Sequence, residues 1–395
     1  MRPFYSEQLV DRSVRQQDHQ SCYFAEPYRE AITGLANHSH AFNDLLRSFP
    51  CVLFALATGF GEVEKRKTAY HLIENGAALK TIAKALNIPW WMRKLPPEAF
   101  TEPLQALLPE SSKFCRSIVN YIPQDPKNIA SWLHKVCRAS QLCGEAFALW
   151  VAEHEAIYAG YNSASKDDSC LELLAAWSWY SQNPDAPAHH LITALWHPNI
   201  GLSKAIEAAK SWYNRVKLII YLGDKGIEDN WLQSGSMLGF DIIPLKTAED
   251  FLIEAEMMGN CLDQYADQVC FQRVRVFSVR QNGTPVANLE IGPHEDDRSM
   301  PTLEQLRGPQ NARVSPLVWR AAYAWMGSQD FTSRGDGPMW CSDVKKDIQN
   351  HPIWSPYCHV LSQRNIAAYE LALLNLDEAE TLLLQLNGLA LLDGV

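Results

Sequence analysis

The chain has 395 residues, 47% of them hydrophobic and 20% charged, and a formal charge of −10. This length allows two domains with substantial cores, and the acidic balance excludes a general phosphate-binding surface while leaving room for a local basic groove. Ten cysteines without a Cys-x-x-Cys pair exclude a structural zinc ribbon, and no apolar run approaches the roughly 18 residues of a membrane span.

The opening MRPFYSEQLVDRSVRQQDH lacks the apolar core of a signal peptide. A cytoplasmic chain with reduced thiols and no membrane contact is expected. Residues 1–30 alternate polar and aromatic types and read as an arm. Residues 41–56 read as a helix that Phe49-Pro50-Cys51 splits. His38 and His40 precede it on a loop with no third ligand, so capping or solvation explains them better than a metal. Two helical patterns, 67–74 and 78–86, flank Gly76. The phrase GAALKTIAKALNIP resembles the first half of a helix-turn-helix. Lys65, Arg66, Lys67, Arg93 and Lys94 are the candidate nucleic-acid-binding residues around it. A recognition helix should follow such a turn. Instead Pro89, Pro96 and Pro97 bracket WWMRKL, and proline both removes a helix donor and restrains its predecessor. A helix-bundle corner is favoured, with Trp90 and Trp91 as packing anchors.

Further helices are expected over 100–108, 112–121, 128–153 with a break, 171–180 and 203–213, punctuated by Pro123, Pro126, Pro184 and Pro187. Residues 158–168 are small and polar, a loop. His190 and His197 are seven apart, but no carboxylate is spaced to complete a metal site with them. No metal and no cofactor is expected. Residues 215–222 are β-branched enough to extend a helix or form a strand.

From residue 240 the apolar period shifts from 3.6 to 2. Phe240 to Leu245 reads as a strand. Thr247 is a helix N-cap with Glu249 and Asp250 in the first turn. The helix is expected to reach about Ala266, placing Glu254, Met258, Cys261 and Tyr265 on one stripe. Asn282-Gly283 between two β-rich runs predicts a two-residue hairpin turn. That turn sets Val279 opposite Val286, Phe277 opposite Asn288 and Arg275 opposite Glu290. Val274, Val276, Ala287, Leu289 and Ile291 then share the core face. Thr302 to Gly308 reads as a third strand with Leu303, Gln305 and Arg307 on one face. Ser315-Pro316 opens another helix. Further on, Arg334-Gly-Asp336 reads as a turn, and residues 366–386 as a Leu-rich helix capped at Asn387-Gly388. The fold class predicted is α+β. A large α-helical region, 1–215, precedes a smaller domain, 216–330, with an antiparallel hairpin or three-stranded sheet and packed helices. A C-terminal helical extension, 331–395, follows.

The central stretch resembles the C-terminal domain of the PcfJ-like family of conjugative plasmids, phages and other bacterial mobile elements. That family's pattern is roughly E-G-x-x-M-x-H-C-V-x-x-Y, two strands, then Q-x-x-G-x-x-N. Glu254, Met258, Cys261 and Tyr265 match the first part, and Gln305, Gly308 and Asn311 the second. Ala255, Asn260 and Leu262 depart from it. About 70 residues carry the match. The resemblance implies a mobile-element setting and a site, but no reaction.

Two function classes follow. One is a binding or adaptor protein contacting nucleic acid or a protein partner. The other is a cysteine-dependent hydrolase or transferase with Cys261 as nucleophile, among Glu254, Tyr265, Glu290, Gln305 and Asn311. Such an enzyme needs a base, and His294, between the second and third strands, is the best-placed candidate. Whether the chain is an enzyme, and in what oligomeric state, the residues leave open.

Overall fold

Proline and glycine set the lengths of the N-terminal helices. The computed structural model describes residues 21–104, 108–158, 169–295, 300–330, 350–364 and 366. Helices α1 (Glu26–Ala36), α2 (His40–Ser48) and α3 (Pro50–Ala57) come first, and Pro50 opens α3 directly after Phe49 ends α2. Helices α4 (Val63–Glu74) and α5 (Leu79–Ala85) follow, separated by Gly76 at φ +65°. WWMRK forms a short 3₁₀ turn, Trp90–Lys94, and not a recognition helix. The helix expected over 100–108 is absent from the described part of that range: Phe100 closes a 3₁₀ turn, and Pro103 disfavours helix at the residue before it. Helices α6 (Ser112–Ser117), α7 (Pro126–Cys143), α8 (Glu145–Tyr158) and α9 (Ser169–Gln182) complete this part, with the α7–α8 break at Gly144, φ +102°. The ambiguous run 215–222 is helical and extends α10 (Leu202–Leu222).

The chain divides into two compact units. One runs to Ser178 and includes His197–Leu202; the other holds Trp179–Trp196 and the chain from Ser203 on. The division therefore crosses α9 and does not sit at a single point near residue 215. In the second unit, residues 350–364 contain helix α14 (Ser355–Gln363), which belongs to this body. Trp354 packs edge-on against Tyr180 and Trp212, and the Tyr180 hydroxyl donates to the Ile353 carbonyl at 2.7 Å. Residues 1–20 of the expected arm, 159–168 of the expected loop, the Arg334-Gly-Asp336 turn and the Leu-rich helix beyond Ile366 lie outside the described residues, while residues 26–30 of that arm are helical and open α1. Among those described, no helix is long and apolar enough to cross a membrane.

The fold is α+β, as the change of period predicts. The sheet has five strands where the pattern suggests three, because Gly235–Met237 (β1) and Phe240–Pro244 (β2) join it. Strands β3 (Arg275–Gln281), β4 (Thr284–Pro293) and β5 (Pro301–Arg307) continue an antiparallel meander in the order β1-β2-β3-β4-β5. Asn282 at φ +53° and Gly283 at φ +81° make the expected tight turn. A Cβ on Gly283 would meet nothing within 4 Å, so Gly283→Ala should cost only backbone strain, about 1 kcal/mol by urea denaturation. A loss several times larger would mean the turn is packed.

The register expected from the turn holds for two pairs only, Gln281–Thr284 and Arg280–Pro285. Val286 is then an extra residue on β4, a bulge, and from there Val279 faces Ala287, Phe277 faces Leu289 and Ser278 faces Asn288. Arg275 accordingly sits opposite Ile291 and not Glu290. Its Nε donates to the Asp229 carbonyl at 2.6 Å, and its guanidinium lies 4.4 Å from the Trp231 ring centre. A second bulge, at Glu304, pairs Glu290 with Gln305 but Ile291 with Leu303, so Leu303 does not share a face with Gln305 and Arg307.

Both faces of the sheet are covered. Phe277, Val279, Leu289, Ile291 and Leu306 meet Val318, Ala321, Ala322 and Trp325 of helix α13 (Pro316–Gly327). On the other face Val274 and Val276 pack with Phe251 and Ala255 of helix α11 (Ala248–Met258), and with Leu262, Val269 and Leu218. The core face expected for β3 and β4 is thus split: Val274 and Val276 look one way, Leu289 and Ile291 the other.

Candidate functional site

Thr247 builds the site's first element as the sequence predicts. Its side chain accepts from the Asp250 backbone N–H at 3.1 Å, and Asp250 accepts in return from the Thr247 N–H at 2.8 Å, a capping box. Helix α11 stops early, at Gly259 in the left-handed region, φ +60°. A 3₁₀ turn, Leu262–Gln264, and the short helix α12 (Ala266–Cys270) follow. Cys261 and Tyr265 therefore do not continue a helical stripe from Glu254 and Met258. The break turns Cys261 outward: it is exposed, where a helical stripe would bury it. A further turn, Gly308–Asn311, closes the site from β5. Gln310 and Asn311 both adopt left-handed backbone, at φ +53° and +60°. A Cβ on Gly259 would lie 3.3 Å from Cγ of Gln310, so glycine there permits the close approach of this turn.

The bulge at Val286 puts Asn288 beside Ser278, on the face that meets α11. Glu254, fully buried, accepts from Asn288 Nδ2 at 2.6 Å and from the Arg280 guanidinium at 3.3 Å. Asn288 Oδ1 accepts from Asn260 Nδ2 at 2.6 Å, and Asn260 Oδ1 accepts from the Leu262 N–H at 3.2 Å. This relay satisfies the carboxylate that a plain apolar core would reject. Next to it the Tyr265 hydroxyl donates to Glu290 Oε2 at 2.9 Å.

The relay forms the floor of a cleft of about 30 Å³, lined among others by Asn260, Cys261, Tyr265, Glu290, Gln305, Arg307 and Asn311. One water needs about 10–15 Å³ by this measure, so the cleft takes a group about two water molecules in size. Of the residues expected at a site, Cys261, Tyr265, Glu290, Gln305 and Asn311 meet here, and Glu254 stands behind the floor. His294 does not line the cleft. It is exposed beyond the end of β4, and its backbone N–H donates to the Met300 carbonyl at 2.8 Å. Asn260, Asn288 and Arg307 were not expected as site residues. The one sequence signal for Asn288 is an amide inside the apolar run PVANLEI.

Burial raises the Glu290 pKa above the ordinary carboxylate value; the Tyr265 hydrogen bond works against the rise, and the Glu304 charge adds to it. Burial, then Glu290, then Cys261 likewise push the Tyr265 phenol up. A carboxyl whose pKa is raised by folding opposes the fold once it ionises. The cost is absent below the unfolded value, near 4.3, and complete above the folded one. Glu290→Gln can still accept from Tyr265. It should raise the melting temperature at about pH 7 and leave it unchanged at about pH 3.5. An equal change at both would contradict the burial of the charge.

Four of the five basic residues expected to bind nucleic acid have acceptors within their own chain. Lys65 pairs with Glu62 at 3.0 Å and Lys67 with Glu64 at 2.8 Å. Arg66 donates to the carbonyls of Gly59 and Gly61, and Arg93 donates to the Ser48 carbonyl and lies over the Trp90 ring. Lys94 is exposed beside them. Trp91 is buried, with its Nε1 donating to the Pro109 carbonyl, and Trp90 is partly exposed. Among the described residues no group of three His, Cys, Asp or Glu could hold a metal ion. Compared with family models, with curated proteins and with solved structures, the chain matches none.

Proposed function

We propose that the protein is a PcfJ-like binding or adaptor protein of a bacterial mobile element or its host, and that the cleft at the end of α11 is where it receives a polar group of its partner. The observation that carries this reading is the buried relay from Glu254 through Asn288 to Asn260. A carboxylate, two amides and a backbone N–H arranged at fixed hydrogen-bond distances make a preorganised polar floor, the property that lowers the cost of binding. A protein partner fits better than nucleic acid. Lys65 and Lys67 each have a glutamate three residues before them, and the whole chain is acidic. Fluorescence anisotropy with labelled single- and double-stranded DNA and RNA at low salt tests this preference. No binding is expected. Binding whose logarithm falls linearly with that of the salt concentration would make nucleic acid the partner, and Arg93→Ala with Lys94→Ala should then reduce the slope.

A second reading, Cys261 as nucleophile of a hydrolase or transferase, draws on one observation: the thiol is exposed at the cleft beside Tyr265 and Glu290. Among the described residues no histidine lines the cleft to serve as its base. Alkylation followed by mass spectrometry separates the two readings. Cys51 and Cys137 are buried and their thiols are pushed up by that burial, so they should stay unmodified in the folded protein. On the binding reading Cys261 reacts at about the rate of the exposed Cys22. A rate about 100-fold higher near neutral pH would favour the nucleophile.

A further inference from the structure

The hydrogen-bond relay has a direction, and that direction limits what the cleft can hold. Its two ends have fixed polarity. Glu254, paired with Arg280, only accepts, and the Leu262 backbone N–H only donates. Between them each amide has a single arrangement that works. Asn288 must turn its nitrogen to Glu254 and its oxygen to Asn260. Asn260 must turn its nitrogen to Asn288 and its oxygen to Leu262. Each amide has two N–H groups and spends one of them in the relay, and both residues line the cleft. Each amide oxygen likewise keeps one lone pair, so to an acceptor atom of a ligand the floor offers N–H donors. Arg307, on the same face of β5, adds another donor.

Glu290 faces these donors as an acceptor. One of its oxygens takes the Tyr265 hydroxyl, and the carboxylate has lone pairs to spare. With Glu290 ionised and Arg307 charged, the cleft is neutral overall, with a donor side and an acceptor side. A carboxylate ligand would meet the donors but face Glu290 as a like charge. An ammonium ligand would meet Glu290 but leave the floor donors unsatisfied beside a cation. A neutral group that accepts at one atom and donates at the next satisfies both sides. The volume, about two water molecules, matches the oxygen and nitrogen of one such group.

We propose that the cleft binds a primary carboxamide, its oxygen on the Asn260, Asn288 and Arg307 side and its NH₂ on Glu290. The proposal rests on the reading of the cleft as a binding site. Such a carboxamide can belong to a small free amide or to the side chain of a glutamine or asparagine presented by a partner protein.

The test is protein-observed NMR of the full chain, titrated near neutral pH with three probes of nearly equal shape: propionamide, propionate and n-propylammonium. Propionamide is expected to shift the resonances of Leu262, Tyr265, Glu290, Gln305 and Asn311 with a Kd of about 1–100 mM, as a five-atom ligand allows. The two charged probes should bind about tenfold more weakly or not at all. Glu290→Gln removes the acceptor charge, so the preference for propionamide over propionate should fall by about tenfold while shifts outside the cleft stay as in the wild type. A capped tripeptide with a central glutamine identifies the source. Binding tighter than propionamide points to a partner's side chain and binding equal to it points to a free amide, and either supports the proposal. Preferential binding of propionate or propylammonium at these residues would overturn the carboxamide while leaving the binding site in place. If no probe or peptide moves the cleft resonances of the folded wild type, the carboxamide and the binding reading both fall.

Discussion

Glu254→Ala is expected to destabilise the protein by about 3 kcal/mol, a fall of about 6–12 °C in the melting temperature of a unit of this size. The carboxylate is fully buried, and its removal strands two partners at once. Asn288 loses the acceptor for its Nδ2, and Arg280 loses its counter-charge. The side chain of Arg280 is 32% exposed, so water recovers part of that loss and the estimate belongs at the low end of the range for breaking a buried pair. Glu254→Gln should cost less, about 1–2 kcal/mol, because the amide oxygen still accepts from Asn288 while the charge is gone. Chemical denaturation of both variants checks this. Equal and small losses, under about 1 kcal/mol, would mean that the relay is not assembled.

The second large effect is on the opposite face of the sheet. Trp325→Ala should cost about 4 kcal/mol. The indole is 1% exposed and lies 4.9 Å from the Phe277 ring centre, and its Nε1 donates to the Gln233 carbonyl at 3.1 Å. Truncation leaves a large cavity between α13 and the sheet and unpairs that carbonyl. A Cβ on Gly235 would lie 3.0 Å from the indole, so β1 also depends on this ring for its position. Trp325→Phe keeps most of the volume and should recover more than half of the loss, measured by the same denaturation. A loss of less than about 1 kcal/mol for the alanine variant would show that α13 is not needed to hold the sheet.

Where a local rule was strong, the sequence was readable. Thr247 with Asp250 specifies a capping box, and Asn282-Gly283 specifies a hairpin turn, because each needs only its near neighbours. Glu254, Gln305 and Asn311 stand out in the sequence because a polar type occupies a place where the pattern allows an apolar one, or because they resemble the PcfJ-like pattern. The helix end is not legible in the spacing, because the four-three-four pattern continues across Gly259 while the glycine, in a left-handed conformation, stops the helix. The register is hidden because a bulge leaves no mark in an alternating pattern. Val286 and Glu304 each add one residue, and each shift moves the strand before or after it by one position. That is why the alternating pattern sets Asn288 beside Phe277 and not Ser278, and leaves the relay hidden. In the sequence Asn260 is only a departure from the histidine of the PcfJ-like pattern. In the fold it joins Asn288 to the Leu262 N–H, a role that becomes visible only when α11 and β4 meet.

The proposed site depends on a cleft floor that is fixed before any ligand arrives. Hydrogen exchange of the side-chain amides measures this directly, by NMR of the free protein. The Asn288 and Asn260 amides should exchange at least about tenfold more slowly than that of Asn311, which is exposed at the cleft rim, and Glu254→Gln should remove much of that protection. Exchange of Asn288 and Asn260 as fast as that of Asn311 in the wild type would mean a floor without fixed hydrogen bonds, and would contradict the site described.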